Sequence, residues 1–214
     1  MDSSQEYYDE DYYLRGKQTG KSSYEAYSWK PDLTLPMADC LKRALRIKDG
    51  DSLLDFGCAR GYLVKALRMR GVEAYGCDSS QWAIENCDEG VKQWVSLNIP
   101  DMQFDHIIAK DVFEHVHPVE LVSILMTLLG RMRKSLLAIV PLTAHNNDPY
   151  LRPEDNADPS HVIRWPLHQW LHFIHQHLTL PADVIVTGSW HYPGLKPASS
   201  EVPKSCGFIQ FTRV

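Results

Sequence analysis

The stretch Leu53-Leu54-Asp55-Phe56-Gly57-Cys58-Ala59-Arg60-Gly61 decides the fold. Its apolar start predicts a buried strand, and its glycines predict a tight turn that opens an amphipathic helix. Glycine lets the backbone approach a ligand closely, and a helix N-terminus favours negative charge. Asp78 follows a second strand-like run, Glu73–Cys77, and a carboxylate about twenty residues beyond such a loop can accept both hydrogen bonds of a ribose diol. Together these features predict a nucleotide-cofactor site.

The loop departs from the dinucleotide pattern G-x-G-x-x-G. It reads Asp55-x-Gly57-Cys58-x-x-Gly61, with a carboxylate at its start. That charge would repel a pyrophosphate, whereas directly or through water it can hold an ammonium group. A ligand with a ribose and an amino-acid tail therefore fits better than one with two phosphates.

In these features the chain resembles the class I S-adenosylmethionine-dependent methyltransferases. The segment Val95-Ser96-Leu97-Asn98-Ile99-Pro100 lies where such enzymes place the loop around the adenine. The run from Phe104 to Val116 resembles their fourth-strand segment, commonly written FDxIxxxxxxEH. The resemblance is strong from Ser52 to Val140 and loose elsewhere. Ala59 is a departure, since many relatives carry glycine there, but alanine is small enough for binding to survive.

The resemblance implies S-adenosylmethionine as cofactor and S-adenosylhomocysteine as product. The cofactor-binding residues that it implies are Asp55, Gly57 and Gly61 for the methionine part, Asp78 for the ribose, the loop Val95–Leu97 with Ser96 and Leu97 for the adenine, and Lys110 and Asp111 for the centre of the cofactor. Cys58 and Ser79 are also expected to bind the cofactor. Two structural alternatives stay open. Asp55 and Gly57 could form an ordinary strand-to-helix turn, and Asp78 could cap the helix that starts near Ser80.

Length, charge and cysteine content restrict the class of protein. A chain of 214 residues suits one domain with a proper core. The formal net charge of −5 disfavours a non-specific nucleic-acid binder. No apolar run approaches the length of a membrane span, and the N-terminus is acidic and tyrosine-rich, so a cytoplasmic protein without membrane contact is expected. Five cysteines without a C-x-x-C pair favour reduced thiols.

The N-terminal segment differs from the rest of the chain. Residues 1–34 are predicted to form a tyrosine-rich arm or lid, and residues 35–214 a single methyltransferase domain. The segment is rich in aromatic side chains, unlike a plain disordered tail, so we expect a partly ordered arm that folds across the body; a flexible leader is the alternative. A helix is predicted over Leu35–Ile47.

Strands and helices alternate after this arm, which predicts an α/β, doubly wound, Rossmann-like fold. The resemblance implies seven strands, the last antiparallel, with helices on both faces. The predicted strands are Ser52–Phe56, Glu73–Cys77, Val91–Val95, Phe104–Ala109, Ser135–Val140, Val184–Thr187 and Phe208–Thr212. The predicted helices between them are Tyr62–Met69, Gln81–Asn86, Val119–Leu129 and Pro166–Leu178.

Ligands of open α/β sheets bind beyond the carboxyl ends of the strands. Three long segments are expected to converge there: the N-terminal arm, the loop 141–164 and the loop 188–206. Long loops in a compact domain are usually functional or disordered. We predict that they form an acceptor pocket with its lid, and the candidate contacts are Tyr12, Tyr13, His145, Asn147, Tyr150, Arg152, Trp190, His191 and Tyr192.

Transfer from a sulfonium mainly requires that the acceptor is held in line and that water is excluded. An oxygen acceptor also benefits from a general base. His161 lies in Asp158-Pro159-Ser160-His161, which resembles a D-P-x-H segment that small-molecule methyltransferases often carry after strand five. We therefore predict His161 as base or acceptor contact. His115, after Glu114, is the second catalytic candidate, with local packing as its alternative role.

Two other patterns are not assigned a function. The run Asn147-Asp148-Pro149-Tyr150 lacks one proline of the amino-methyltransferase motif N/D-P-P-Y and follows strand five instead of strand four. His168, His172 and His175 have helical spacing but flank an apolar stripe, so they are expected on a solvated or half-packed face. No metal is expected.

The sequence thus predicts a methyltransferase that acts on a small polar acceptor, with a hydroxyl of a sugar or other metabolite as first choice. Methylation of a protein or RNA is an alternative enzymatic function. A non-catalytic sensor or scaffold that binds S-adenosylmethionine is the alternative from another class. The oligomeric state is not predicted.

Overall fold

A computed structural model describes residues 6–190, 192, 195 and 204–214, and its centre is one seven-stranded sheet. The strands are β1 (Ser52–Phe56), β2 (Glu73–Cys77), β3 (Val95–Ser96), β4 (Phe104–Lys110), β5 (Met132–Pro141), β6 (Val184–Ser189) and β7 (Cys206–Arg213). Their order is β3-β2-β1-β4-β5-β7-β6. The first five strands are parallel to one another, whereas β7 is antiparallel to both of its neighbours, β5 and β6. The predicted doubly wound α/β sheet with an antiparallel last strand is confirmed.

Helices cover both faces of this sheet. They are α1 (Glu10–Leu14), α2 (Gly16–Thr19), α3 (Pro31–Ala44), α4 (Tyr62–Arg68), α5 (Gln81–Glu85), α6 (Pro118–Arg131) and α7 (Leu167–His177). Leu54 and Ile107 pack in a cluster with α6 and α7, whereas their neighbours Leu53 and Ile108 pack in a second cluster with α3 and α4. Because successive strand residues point to opposite faces, both faces of these strands are apolar.

Two elements differ most from the sequence prediction, by four residues at one end, whereas the other predicted strands and helices agree to within three residues at each end. Helix α3 begins at Pro31, inside the segment assigned to the arm, because proline fits the first helical position. Strand β3 is only Val95–Ser96, and residues 92–94 form a 3₁₀ turn. The N–H of Trp94 closes this turn by donating to the carbonyl of Val91 (2.8 Å), and the N–H of Val91 closes the turn before it by donating to the carbonyl of Asp88 (2.9 Å), so the chain bends twice before it reaches the sheet.

The described part of the arm is ordered and folds back on the domain. Asp9 caps α1 by accepting a hydrogen bond from the Tyr12 N–H, and Tyr12 and Tyr13 are buried. Their rings form a third apolar cluster with Ala83, Trp82 and Ala59. All five cysteines are buried free thiols, and no helix in the described ranges is long and apolar enough to cross a membrane.

Candidate active site

The loop after β1 takes left-handed backbone conformations. The φ angles are +80° at Gly57, +49° at Ala59 and +75° at Gly61. A Cβ atom on Gly57 would lie 2.3 Å from a methyl of Val112. The N–H groups of Gly57 and Cys58 both donate to the carbonyl of Cys77 (2.8 and 3.0 Å), which fixes the loop to the end of β2. Glycine at position 57 is therefore required both by the backbone and by its neighbour.

Asp78 holds the loop from the neighbouring strand. Its carboxylate accepts hydrogen bonds from the N–H of Ala59 (2.7 Å) and of Ser80 (2.9 Å). Burial raises the pKa of Asp78, and these two N–H groups oppose that shift. The helix cap is Ser80, whose hydroxyl accepts from the Ala83 N–H at 3.0 Å. The alternative in which Asp78 serves as the cap of α5 is therefore wrong.

Asp55 is a buried carboxyl group at the end of β1, with 3% of its surface exposed. Burial, with a smaller contribution from the nearby Asp78, raises the pKa of Asp55 to about 7 although the charge of Lys110 opposes the shift. Lys110 itself forms an ion pair with Asp111, which has a φ angle of +55°. A cationic group placed next to Asp55 would lower this pKa and favour the carboxylate.

The other predicted cofactor residues surround the same strand ends. Cys58 is buried and Ser79 is exposed. The carbonyl of Ser96 accepts a hydrogen bond from the Asp78 N–H (3.1 Å), and its hydroxyl donates to the carbonyl of Asn98 (2.7 Å). Leu97 is 40% exposed. The start of the loop after β3 therefore lies beside Asp78.

The tyrosine arm lies against these residues. The hydroxyl of Ser80 donates to the carbonyl of Tyr8 (2.5 Å), and Arg60 donates to the carbonyl of Tyr27 (3.1 Å). The ring of Tyr13 stacks on Trp82 with the centroids 5.4 Å apart. Sequence reasoning selected Tyr12 and Tyr13 but missed Tyr8, Tyr27 and Trp82, although the density of aromatic residues was a usable signal.

Glu114, His115 and His161 form a cluster beyond β4. One possible ligand atom from each of the three side chains lies within 4.8 Å of the other two. The two histidine rings pack edge to face with centroids 4.5 Å apart. The carbonyl of Glu114 accepts from the N–H groups of Val162 (2.8 Å) and Ile163 (3.0 Å), which joins the two segments. The two catalytic candidates, 46 positions apart in the sequence, are neighbours.

Hydrogen bonds fix the orientation of both imidazoles. Nδ1 of His161 lies 2.7 Å from the carbonyl oxygen of Asp155, and Nδ1 of His115 lies 2.8 Å from the hydroxyl oxygen of Ser160. That hydroxyl donates in turn to Asp158. Each Nδ1 therefore carries the proton, and each Nε2 keeps its lone pair. Burial lowers the pKa of both histidines.

Asp158 connects this cluster to the arm. The phenol of Tyr12 donates to one oxygen of Asp158 at 2.7 Å, and Ser160 donates to the other through its hydroxyl (2.5 Å) and its N–H (2.9 Å). Asp158 was part of the quoted D-P-x-H segment but received no role of its own.

Two of the predicted acceptor contacts lie at the cluster. Tyr150 is buried, and its ring meets His161 edge to face at 5.2 Å. The Nε atom of Arg152 lies 3.9 Å from a carboxylate oxygen of Asp155. Against the effect of its burial, the charges of Asp155 and Asp111 raise the pKa of Arg152. His145 and Asn147 are exposed, and the φ angle of +65° at Asn147 is typical of an asparagine turn.

The C-terminal candidates lie elsewhere. Trp190 lines a cavity of about 220 Å³ with Leu142, Leu151 and His168, and none of the predicted cofactor residues lines it. The hydroxyl of Tyr192 donates to Gln210 (2.9 Å), and its ring packs on Phe208. His191 lies outside the described residues. Among the described contacts, none joins Trp190 or Tyr192 to the histidines.

A family model described as a methyltransferase domain matches residues 31–183. The chain belongs to this family. A curated relative, the probable fatty acid methyltransferase of Pseudomonas putida, is 32% identical over 132 residues. The match covers 53% of the chain and 34% of that protein, so the chain spans about a third of its relative's length.

Solved structures of methyltransferases share the fold at low sequence identity. The plantazolicin methyltransferase BpumL in complex with S-adenosylhomocysteine has a TM-score of 0.59 at 14% identity, over 85% of this chain and 83% of that chain. The magnesium protoporphyrin IX methyltransferase of Synechocystis, with bound S-adenosylmethionine, has a TM-score of 0.56 at 12% identity, over 84% and 79%. Both of these structures hold the methyl donor or its product, and the predicted cofactor for this chain is the same donor.

Proposed function

We propose that the chain transfers the methyl group of S-adenosylmethionine to a hydroxyl of a small polar acceptor, such as a sugar or other metabolite. The observation that carries this proposal is the pair His115 and His161, whose rings meet after β4 and whose Nδ1 atoms are both hydrogen-bonded, so that each Nε2 keeps a lone pair. An acceptor hydroxyl must lose its proton during transfer, and an imidazole nitrogen with a free lone pair can accept that proton.

The residues at the ends of β1 and β2 fit the cofactor. Asp55 is buried with a raised pKa, so a cationic amino group would convert it to a well-paired carboxylate. We assign Asp55, the loop from Gly57 to Gly61 and Lys110 with Asp111 to the methionine part and the sulfonium. We assign Asp78 with Ser79 to the ribose and Ser96 with Leu97 to the adenine.

The arm acts as a lid in this proposal. It contacts the cofactor side through Ser80 and Trp82 and the acceptor side through Asp158. When bound, the cofactor supplies an activated methyl group. The protein contributes by holding the acceptor oxygen near that group and by excluding water, which the tyrosine rings do when the arm is seated.

Labelled S-adenosylmethionine incubated with the protein and a metabolite extract tests the function. Mass analysis should identify a small molecule that gains one methyl group. The substitution His161→Ala should reduce turnover by about 100-fold or more, a typical loss for a group that handles the proton. Cofactor affinity should stay unchanged. His168→Ala, in an exposed position on α7, is the matched control and should retain full turnover.

Other products would identify the alternatives. A labelled protein or RNA in place of a metabolite would select a macromolecular methyltransferase. Tight cofactor binding without any methylated product would select the sensor or scaffold, in which a permanently closed arm blocks the acceptor side.

A further inference from the structure

We propose that Glu114, His115 and His161 bind one divalent transition-metal ion, and that this ion holds the acceptor oxygen. The second half of this proposal rests on the proposed function; the first half does not. The three side chains supply two imidazole nitrogens and one carboxylate. Two histidines and one carboxylate on one side of an ion leave coordination positions open for a substrate.

The distances suit a common ion. The possible ligand atoms lie within 4.8 Å of one another. Nitrogen and oxygen ligands bind such ions at about 2.0–2.2 Å, so two neighbouring ligands on one side of an ion are about 3–3.5 Å apart. Binding therefore requires side-chain rotations that bring the three atoms closer together by about 1 Å.

The outer hydrogen bonds are those that a metal-binding histidine requires. Nδ1–H of His161 donates to a backbone carbonyl, and Nδ1–H of His115 donates to Ser160, which Asp158 fixes in turn. Metal-binding histidines almost always donate their second ring N–H to a carbonyl, a carboxylate or water, which sets the tautomer and the ring direction. Both Nε2 atoms are therefore prepared as ligands.

The backbone around the cluster is held in place before any ion binds. Glu114 and His115 belong to the 3₁₀ turn Phe113–His115, directly after β4. Two N–H groups that follow His161 donate to the carbonyl of Glu114, so the third ligand is tied to the same turn. Glu114 is 1% exposed, and a site held on packed elements keeps its ligand geometry.

The donor set selects the class of ion. Imidazole suits zinc, iron, cobalt, nickel and copper, whereas magnesium and calcium prefer oxygen ligands alone. With an ion bound, the two Nε2 lone pairs would coordinate it, so the histidines would act on the acceptor through the ion and not as bases. An ion of the first group would bind an acceptor hydroxyl and lower the pKa of that hydroxyl, so that its proton passes to solvent as the hydroxyl binds and its oxygen then attacks the methyl carbon. The carbon–sulfur bond breaks in the same step and leaves a neutral thioether.

Cobalt titration of the 214-residue protein, after chelator treatment and removal of the chelator, tests the site. Visible absorption should report one Co²⁺ per chain. Glu114→Gln and His161→Ala should weaken this binding by at least about 100-fold, and Ser160→Ala by about 10–100-fold because it releases His115. His172→Ala, in an exposed position on α7, is the control and should bind like the unsubstituted protein. S-adenosylhomocysteine affinity, equal in all five proteins, verifies folding.

The outcomes separate the two proposals. Absence of stoichiometric binding, or equal binding by the Glu114 and His161 variants, overturns the metal site. Full methyl transfer after chelation overturns the role of the ion and leaves the proposed function intact. Stoichiometric Co²⁺ binding that the variants lose, without methyl transfer under any ion, supports the metal site and overturns the proposed function.

Discussion

The phenol of Tyr12 donates a 2.7 Å hydrogen bond to the carboxylate of Asp158, 146 positions further along the chain. Both side chains are almost inaccessible to solvent. Asp158 also accepts from Ser160, which receives the Nδ1–H of His115. The position of the arm and the orientation of a catalytic candidate therefore depend on the same carboxylate.

Tyr12→Phe should loosen the arm. It removes one donor from a buried carboxylate, which typically costs about 1–3 kcal/mol. Amide hydrogen exchange of residues 10–14, measured with saturating S-adenosylhomocysteine, should become faster. Tyr7→Phe is the control, because the Tyr7 hydroxyl donates to the carbonyl of Lys21 within the arm. Equal exchange in the two variants would contradict a link that depends on Asp158.

Asp55→Asn should stabilise the ligand-free protein at high pH. The pKa of Asp55 is about 7 in the folded protein and 3.8 without its environment, so the folded state binds more protons between these values. Stability is then lost as pH rises from about 4 to about 7, and the full cost, on the order of 2–4 kcal/mol, is present above that range.

Urea unfolding at pH 5, 6, 7 and 8 measures this effect as the difference between Asp55→Asn and the unsubstituted protein. The difference should grow with pH and level off near pH 8. The variant should also bind S-adenosylhomocysteine more weakly, since it lacks the charge for the amino group. A stability difference that does not change with pH would show that Asp55 does not titrate in this range.

Gly57→Ala should destabilise the protein by about 2–5 kcal/mol. Left-handed backbone costs about 1–2 kcal/mol for a residue with a Cβ, and overpacking adds about 1–3 kcal/mol. Val112→Ala removes the methyl that lies 2.3 Å from the new Cβ position. In a double-mutant cycle by urea unfolding, the pair should lose less than the sum of the single losses. Strict additivity would place the whole cost in the backbone.

Asp78→Asn should weaken S-adenosylhomocysteine binding by about 10- to 150-fold, the value of one hydrogen bond to a charged group. Isothermal titration measures this affinity. Glu73→Gln is the control: it removes an exposed carboxylate at the opposite end of the same strand. A similar affinity in both variants would remove Asp78 from the cofactor site.

The cofactor side of the molecule could be predicted because its signals are local. The bounds of β1 and β2 follow from apolar runs that end at Gly57 and Asp78, and the structure reproduces them. The predicted start of β3 at Val91 was wrong, because the apolar residues Val91 and Val95 do not reveal that the chain turns between Asp88 and Trp94 before it enters the sheet. The cluster of Glu114 with His161 could not be predicted, because nothing local indicates that the loop after β5 bonds to the carbonyl of Glu114.

The arm is attached at two places, at Ser80 near the cofactor residues and at Asp158 near the histidines. Under the proposed function, an arm attached at both places has to detach before S-adenosylhomocysteine can leave. Turnover would then be limited by product residence time: the first catalytic cycle would be faster than later ones, and increased solvent viscosity would slow the steady state without slowing that first cycle.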